Sequence, residues 1–115
     1  MAISGPTRFI NLPVWLAQTI QHVLRGQTYP EVRAVAAGWS SAKELHLSIY
    51  LDRDPTEFDR EWIDIVLTEI LSCTSSNDDI TAISDELVFS LAPMNELDSM
   101  SGFLYQRFEG RHAAD

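Results

Sequence analysis

The side chains with a claim to chemistry in this chain are one cysteine, three histidines and several groups of carboxylates. Cys73, at the end of a helical pattern, would be a nucleophile if a cationic neighbour lowered its pKa. No histidine stands near it in the sequence, and it reads as a half-buried structural cysteine. His22, His46 and His112 lack metal-ligand spacing. Asp52-Arg53-Asp54 has the beginnings of a calcium loop, but such loops need a glycine at the sixth position, and Glu57 is there instead. Asp54 is explained without metal as a helix cap, and Asp78-Asp79 as a solvated loop. Five glycines leave little to build a phosphate-binding loop from, and no basic patch with interleaved aromatics is present. The expectation is no catalytic, metal or cofactor site, no enzyme, and no direct grip on nucleic acid.

What remains is negative charge. The formal charge is −9, and residues 52–98 carry thirteen of the seventeen acids but only two of the eight bases. Glu57, Glu61 and Asp64 fall at i, i+4 and i+7 of one helical pattern. Like charges at that spacing cost about 0.2–0.5 kcal/mol per pair, and only Arg60 offers local relief. A simple solvated face is one reading of the row; a surface kept for a partner is the other. Glu96 and Asp98, with Met94 and Leu97, form a second group. Acids mixed with exposed apolar residues suit a basic partner, because charge steers the encounter and apolar burial holds it. The candidate interface is Asp52, Asp54, Glu57, Glu61 and Asp64, with Tyr50, Glu96 and Asp98 as a second tier.

The elements that must carry these residues show in the periodicity. Leu45, Leu47, Ile49 and Leu51 alternate with His46, Ser48, Tyr50 and Asp52, the period of a half-buried strand. At Asp54-Pro55-Thr56-Glu57 the period changes to that of a helix running to about Ser72, with Asp54 as cap and Pro55 at the first helical position. Phe58, Trp62, Ile63, Ile65, Val66, Leu67 and Ile70 fill its apolar arc, with Glu57, Glu61 and Asp64 opposite. Asp59 and Glu69 project near that arc, at its edge or bonded to a neighbouring loop. An earlier helix reads from Pro13, capped by Asn11, through Leu16, Ile20, Val23 and Leu24 to Gly26, with Trp15 in the core.

Residues 32–39 read as a strand antiparallel to 44–51, joined by a hairpin-length loop. Val35, Ala37 and Trp39 share one face; Ala34, Ala36 and Gly38 on the other leave room for a close-packed helix. Residues 80–83 fit a short strand or a turn, 86–91 a strand, 92–102 a loop or a loop with one helical turn, and 103–109 a last strand. Residues 1–11 form an extended lead-in anchored by Phe9 and Ile10, and 110–115 a loose tail. The fold class is α+β in the order α-β-β-α-β-β: a mostly antiparallel sheet of about four strands with both helices on one face. The other face, with His46, Ser48 and Tyr50, is left open as a second candidate surface.

A chain of 115 residues suits a single domain, 1–115, able to bury a core without disulfides. No apolar run is long enough to span a bilayer and no secretory leader is visible, so no membrane partner is expected. One cysteine fits a cytoplasmic location.

The phrases ELHLSIYLDRDPTEFDREWIDIVLTEI, ELVFS and PMNELDSMSGFLYQRFE, across residues 32–109, resemble small immunity proteins of bacterial polymorphic toxin systems, the contact-dependent growth inhibition group among them. The resemblance implies a non-catalytic cytoplasmic inhibitor that binds the C-terminal toxin domain of a large secreted protein. Toxins of this kind are commonly nucleases with basic clefts, which an acidic inhibitor can occupy. The alternative is a non-catalytic adaptor or subunit of another complex, whose partner need not be basic.

Overall fold

A computed structural model describes residues 9–74 and 79–109. The elements are α1 (Val14–Leu24), β1 (Val32–Trp39), β2 (Glu44–Leu51), α2 (Glu57–Ser72), β3 (Ala82–Phe89), a single 3-10 turn at Met94–Glu96, and β4 (Gly102–Gln106). The expected order holds. The sheet runs β3-β2-β1-β4. β1 pairs antiparallel with both β2 and β4, whereas β2 and β3 are parallel. Parallel neighbours need a crossover, and α2 supplies it.

Both helices cover one face. Leu16, Ile20, Val23 and Leu24 of α1 and Trp62, Ile63, Val66 and Ile70 of α2 pack on Val35, Ala37, Leu45, Leu47, Ile49 and Leu51. α1 starts after Pro13 with no side-chain cap, so the expected capping by Asn11 is not what holds it. A cap is worth about 1 kcal/mol, and each of the four buried α1 side chains about 1.5–3 kcal/mol, so packing decides. Trp15, expected in the core, is 42% exposed and lies edge-on to Trp39, with ring centroids 6.4 Å apart.

The second face is not open. Ala34, Ala36 and Tyr50 are buried beneath Leu97, with Met94, Met100 and Phe103 beside them. The covering segment is tied down by its backbone: Ser101 N–H donates to the Ala37 carbonyl at 2.7 Å, and the Tyr50 hydroxyl to the Asp98 carbonyl at 2.8 Å. The small side chains of β1 therefore admit a loop, not a helix. At Gly38 a Cβ would come within 2.5 Å of the Phe9 ring, so the glycine lets the lead-in lie flat on the sheet. Ile10 donates its N–H to the Trp39 carbonyl at 2.7 Å, which anchors that segment as expected. The expected loose tail, and the lead-in before Phe9, lie outside the described residues.

β3 is longer towards its start than the sequence suggested, taking in residues 82–85, while Leu91 lies beyond it and is exposed. β4 stops at Gln106, short of the expected 109. Cys73, expected half-buried, is exposed.

Candidate functional site

The acidic corner is built on α2. The helix begins two residues later than Pro55 suggested: Thr56 is the N-cap, and Asp59 closes the capping box by accepting the Thr56 N–H at 2.6 Å. Asp54 is exposed and lies outside the cap. Asp59 itself is fully buried. It accepts hydrogen bonds from Arg53 at 2.6 and 3.1 Å and from the Tyr29 hydroxyl. Burial opposes its charge, but these donors together outweigh burial and hold its pKa far below the ordinary carboxylate range. Burial first, and then the Asp59 bond, push the Tyr29 phenol well above its ordinary value.

Tyr29 does more than hold a proton for Asp59. Its ring meets Phe58 edge-on at 5.0 Å and Trp62 edge-on at 5.2 Å. Trp62 in turn donates its indole N–H to the Gln27 carbonyl at 3.0 Å. The connection before β1 is thus fastened to the first turns of α2.

With Asp59 at the centre of the buried face, the apolar arc is narrower than expected. Phe58 is 58% exposed and Ile65 54%, although both were read as core. At 100° per residue Phe58, Glu61 and Ile65 adjoin, and Glu57, Asp64 and Thr68 lie beside them. The outer face of α2 therefore alternates carboxylates with two large apolar side chains. Among the described residues Glu57 and Glu61 make no ion pair; Asp64 lies 4.0 Å from Arg60.

The other candidates are dispersed. Asp52 is engaged by Arg107 at 2.8 Å. Arg107 also bonds Glu109, which Arg33 holds through two further bonds of 2.8 and 2.9 Å. Those guanidiniums keep the Glu109 carboxyl down to about 2, against the pull of burial. Tyr50 is buried. Glu96 and Asp98 are exposed on the loop that covers the opposite sheet face, and the Asp98 carboxylate accepts the Met100 N–H at 2.9 Å. The sheet lies between them and α2, so one flat partner surface cannot take both groups. The structure brings together Glu57, Glu61 and Asp64, with Asp54 before them, and adds Phe58 and Ile65.

One constellation was invisible beforehand. His46 Nδ1 lies 2.8 Å from Ser84 Oγ, and Nε2 lies 3.6 Å from Glu86. The β2–β3 register, with His46 opposite Ser84 and Ser48 opposite Glu86, creates this trio. His46 and Ser84 border a cavity of about 280 Å³ that is also lined by Phe9, Ser40, Glu44 and Leu45. Acyl transfer needs donors aimed at a developing oxyanion. Here the cavity is rimmed by the Glu44 carboxylate, the opposite charge preference. Among the described residues no three His, Cys, Asp or Glu side chains converge as a metal would require. No described helix is long and apolar enough to cross a membrane.

Compared with known families, the chain matches the model described as MafI2 immunity protein over residues 13–109. No curated protein matches it.

Proposed function

The chain belongs to the MafI2 immunity protein family, a membership that gives it immunity against a toxin of a polymorphic system, and from that premise we propose that the outer face of α2 is the toxin-binding surface. The partner is a basic nuclease domain at the C-terminus of a larger secreted protein, delivered by cell contact. The chain acts on it in the cytoplasm as a stoichiometric inhibitor, not as an enzyme.

One observation carries this reading: Glu57, Glu61 and Asp64 stand on a single rigid helix around Phe58 and Ile65, with Glu57 and Glu61 making no ion pair among the described residues. A nuclease must hold phosphates in a cationic cleft. Carboxylates on a helix can settle there, and the two apolar side chains supply the burial that slows dissociation.

The test uses the protein domain encoded beside this chain, in an inactive form. Glu57→Lys combined with Glu61→Lys should weaken its binding at least a hundredfold and abolish protection of cells that express the active domain. Unchanged affinity and protection would remove α2 from the interface.

A further inference from the structure

The sheet has two edges, and they are managed differently. β4 is five residues long, carries a register shift against β1, and leads into Arg107, which turns back to Asp52 and Pro30. These features discourage another strand from adding there. β3 is eight residues long and pairs with β2 without interruption from Ala82 to Phe89. It contains no proline, lysine or bulge. Among the described residues no strand lies on its outer side. A straight edge of this length offers alternate backbone N–H and C=O groups to any extended chain.

We infer that the outer edge of β3 receives an extended, basic strand of the toxin, which joins the sheet as a fifth strand beside the acidic face of α2. This rests on the toxin reading above and deepens it. Charge selects the occupant. Arg60 of α2 reaches over to Asp85 of β3 at 2.8 Å and stands 4.0 Å from Asp64, so the α2 face runs directly into this edge. On the other sheet face Glu86 is 54% exposed. An added strand would therefore meet Asp64 and Asp85 on one side and Glu86 on the other, against the single guanidinium of Arg60. Alternate basic side chains satisfy both faces. A second copy of this chain does not: side chains directly opposite in an antiparallel pair share a face, so the two longest registers of β3 with itself would set Asp85 opposite Asp85 or Glu86 opposite Glu86, and like charges directly opposite are destabilising.

The experiment is residue-resolved amide hydrogen exchange on the full chain, alone and bound to the inactive domain encoded beside it. Alternate amides within 82–89, those pointing away from β2, should exchange at least tenfold more slowly in the complex, while the amides already paired with β2 change little. Glu86→Lys should weaken binding at least tenfold. A complex that leaves the outward amides unprotected overturns the edge proposal and leaves the helix-face reading standing. Protection that survives Glu57→Lys with Glu61→Lys at unchanged affinity does the reverse. Protection of these amides in the chain alone, rising with its concentration, means self-pairing and overturns the toxin strand. Absence of any complex overturns both readings.

Discussion

Asp59 shows how a single buried charge shapes the surface around it. Its carboxylate lies at the centre of the buried face of α2, where a leucine would be ordinary, yet all its bonds are local to the corner: Thr56, Arg53 and Tyr29. Removing one member of such a buried set leaves the others with polar groups unanswered, a loss of about 3–5 kcal/mol when an ion pair is broken. Asp59→Asn keeps the shape and one acceptor, so the expected loss is smaller, about 2–3 kcal/mol, read from urea unfolding at neutral pH. The same residue sets a pH signature. Its folded pKa is lowered, so the unfolded chain takes up its proton first as pH falls. The stability it contributes is complete above the unfolded pKa, near 4, and is lost progressively below it, towards the lowered folded pKa. Unfolding measured between neutral pH and pH 2 should show a flatter acid limb in Asp59→Asn than in the parent chain. An identical limb in both would mean that Asp59 does not carry this charge in the native state.

At the scale of elements, the two helices and the β1–β2 hairpin were legible because each carries a clean period, and most of their apolar sets are found in the core, Trp15, Phe58 and Ile65 excepted. The direction of β3 was not legible, since a period of two marks a strand without saying which neighbour it takes or which way it runs. The cover over the second sheet face was also hidden: Met94, Leu97 and Met100 lie on a segment whose single 3-10 turn is too short to carry a period. In the candidate site, Glu57, Glu61 and Asp64 could be grouped from helical spacing alone. The withdrawal of Asp52 could not be foreseen, because Arg107 is 55 residues away. Nor could the exposure of Phe58 and Ile65, which follows from Asp59 taking the buried position with partners outside α2. That exposure has a consequence for binding. Phe58 rests edge-on against Tyr29, so it is an aromatic side chain held in place before any partner arrives. Phe58→Ala should weaken toxin binding by about 2 kcal/mol or more, as a central aromatic anchor does, while changing unfolding free energy by less than about 1 kcal/mol. A calorimetric titration paired with a denaturation curve separates the two. Loss of stability without loss of affinity would make Phe58 a structural prop.

Over the whole molecule, the arginines and the carboxylates are sorted. Arg33, Arg53, Arg60 and Arg107 are all held by internal acids, namely Glu109, Asp59, Asp85 and Asp52. Each of these arginines is matched by an acid, so the excess of seventeen acids over eight bases, a net −9, is displayed by side chains such as Glu57 and Glu61. A field of this sign acts before contact. It raises the rate at which a basic partner arrives in a productive orientation, and it is screened beyond about 8–10 Å at physiological salt. The apolar contacts of Phe58 and Ile65 act only after contact and are indifferent to screening. The two contributions should therefore separate in stopped-flow measurements with the inactive toxin domain. Raising salt from about 0.05 to 0.5 M should slow association by about tenfold or more and leave dissociation within about threefold. Phe58→Ala should do the opposite, speeding dissociation with association nearly unchanged. If salt acted mainly on dissociation, the carboxylates would be forming close, desolvated pairs at the heart of the interface, and the division of labour between charge and apolar burial proposed for α2 would be wrong.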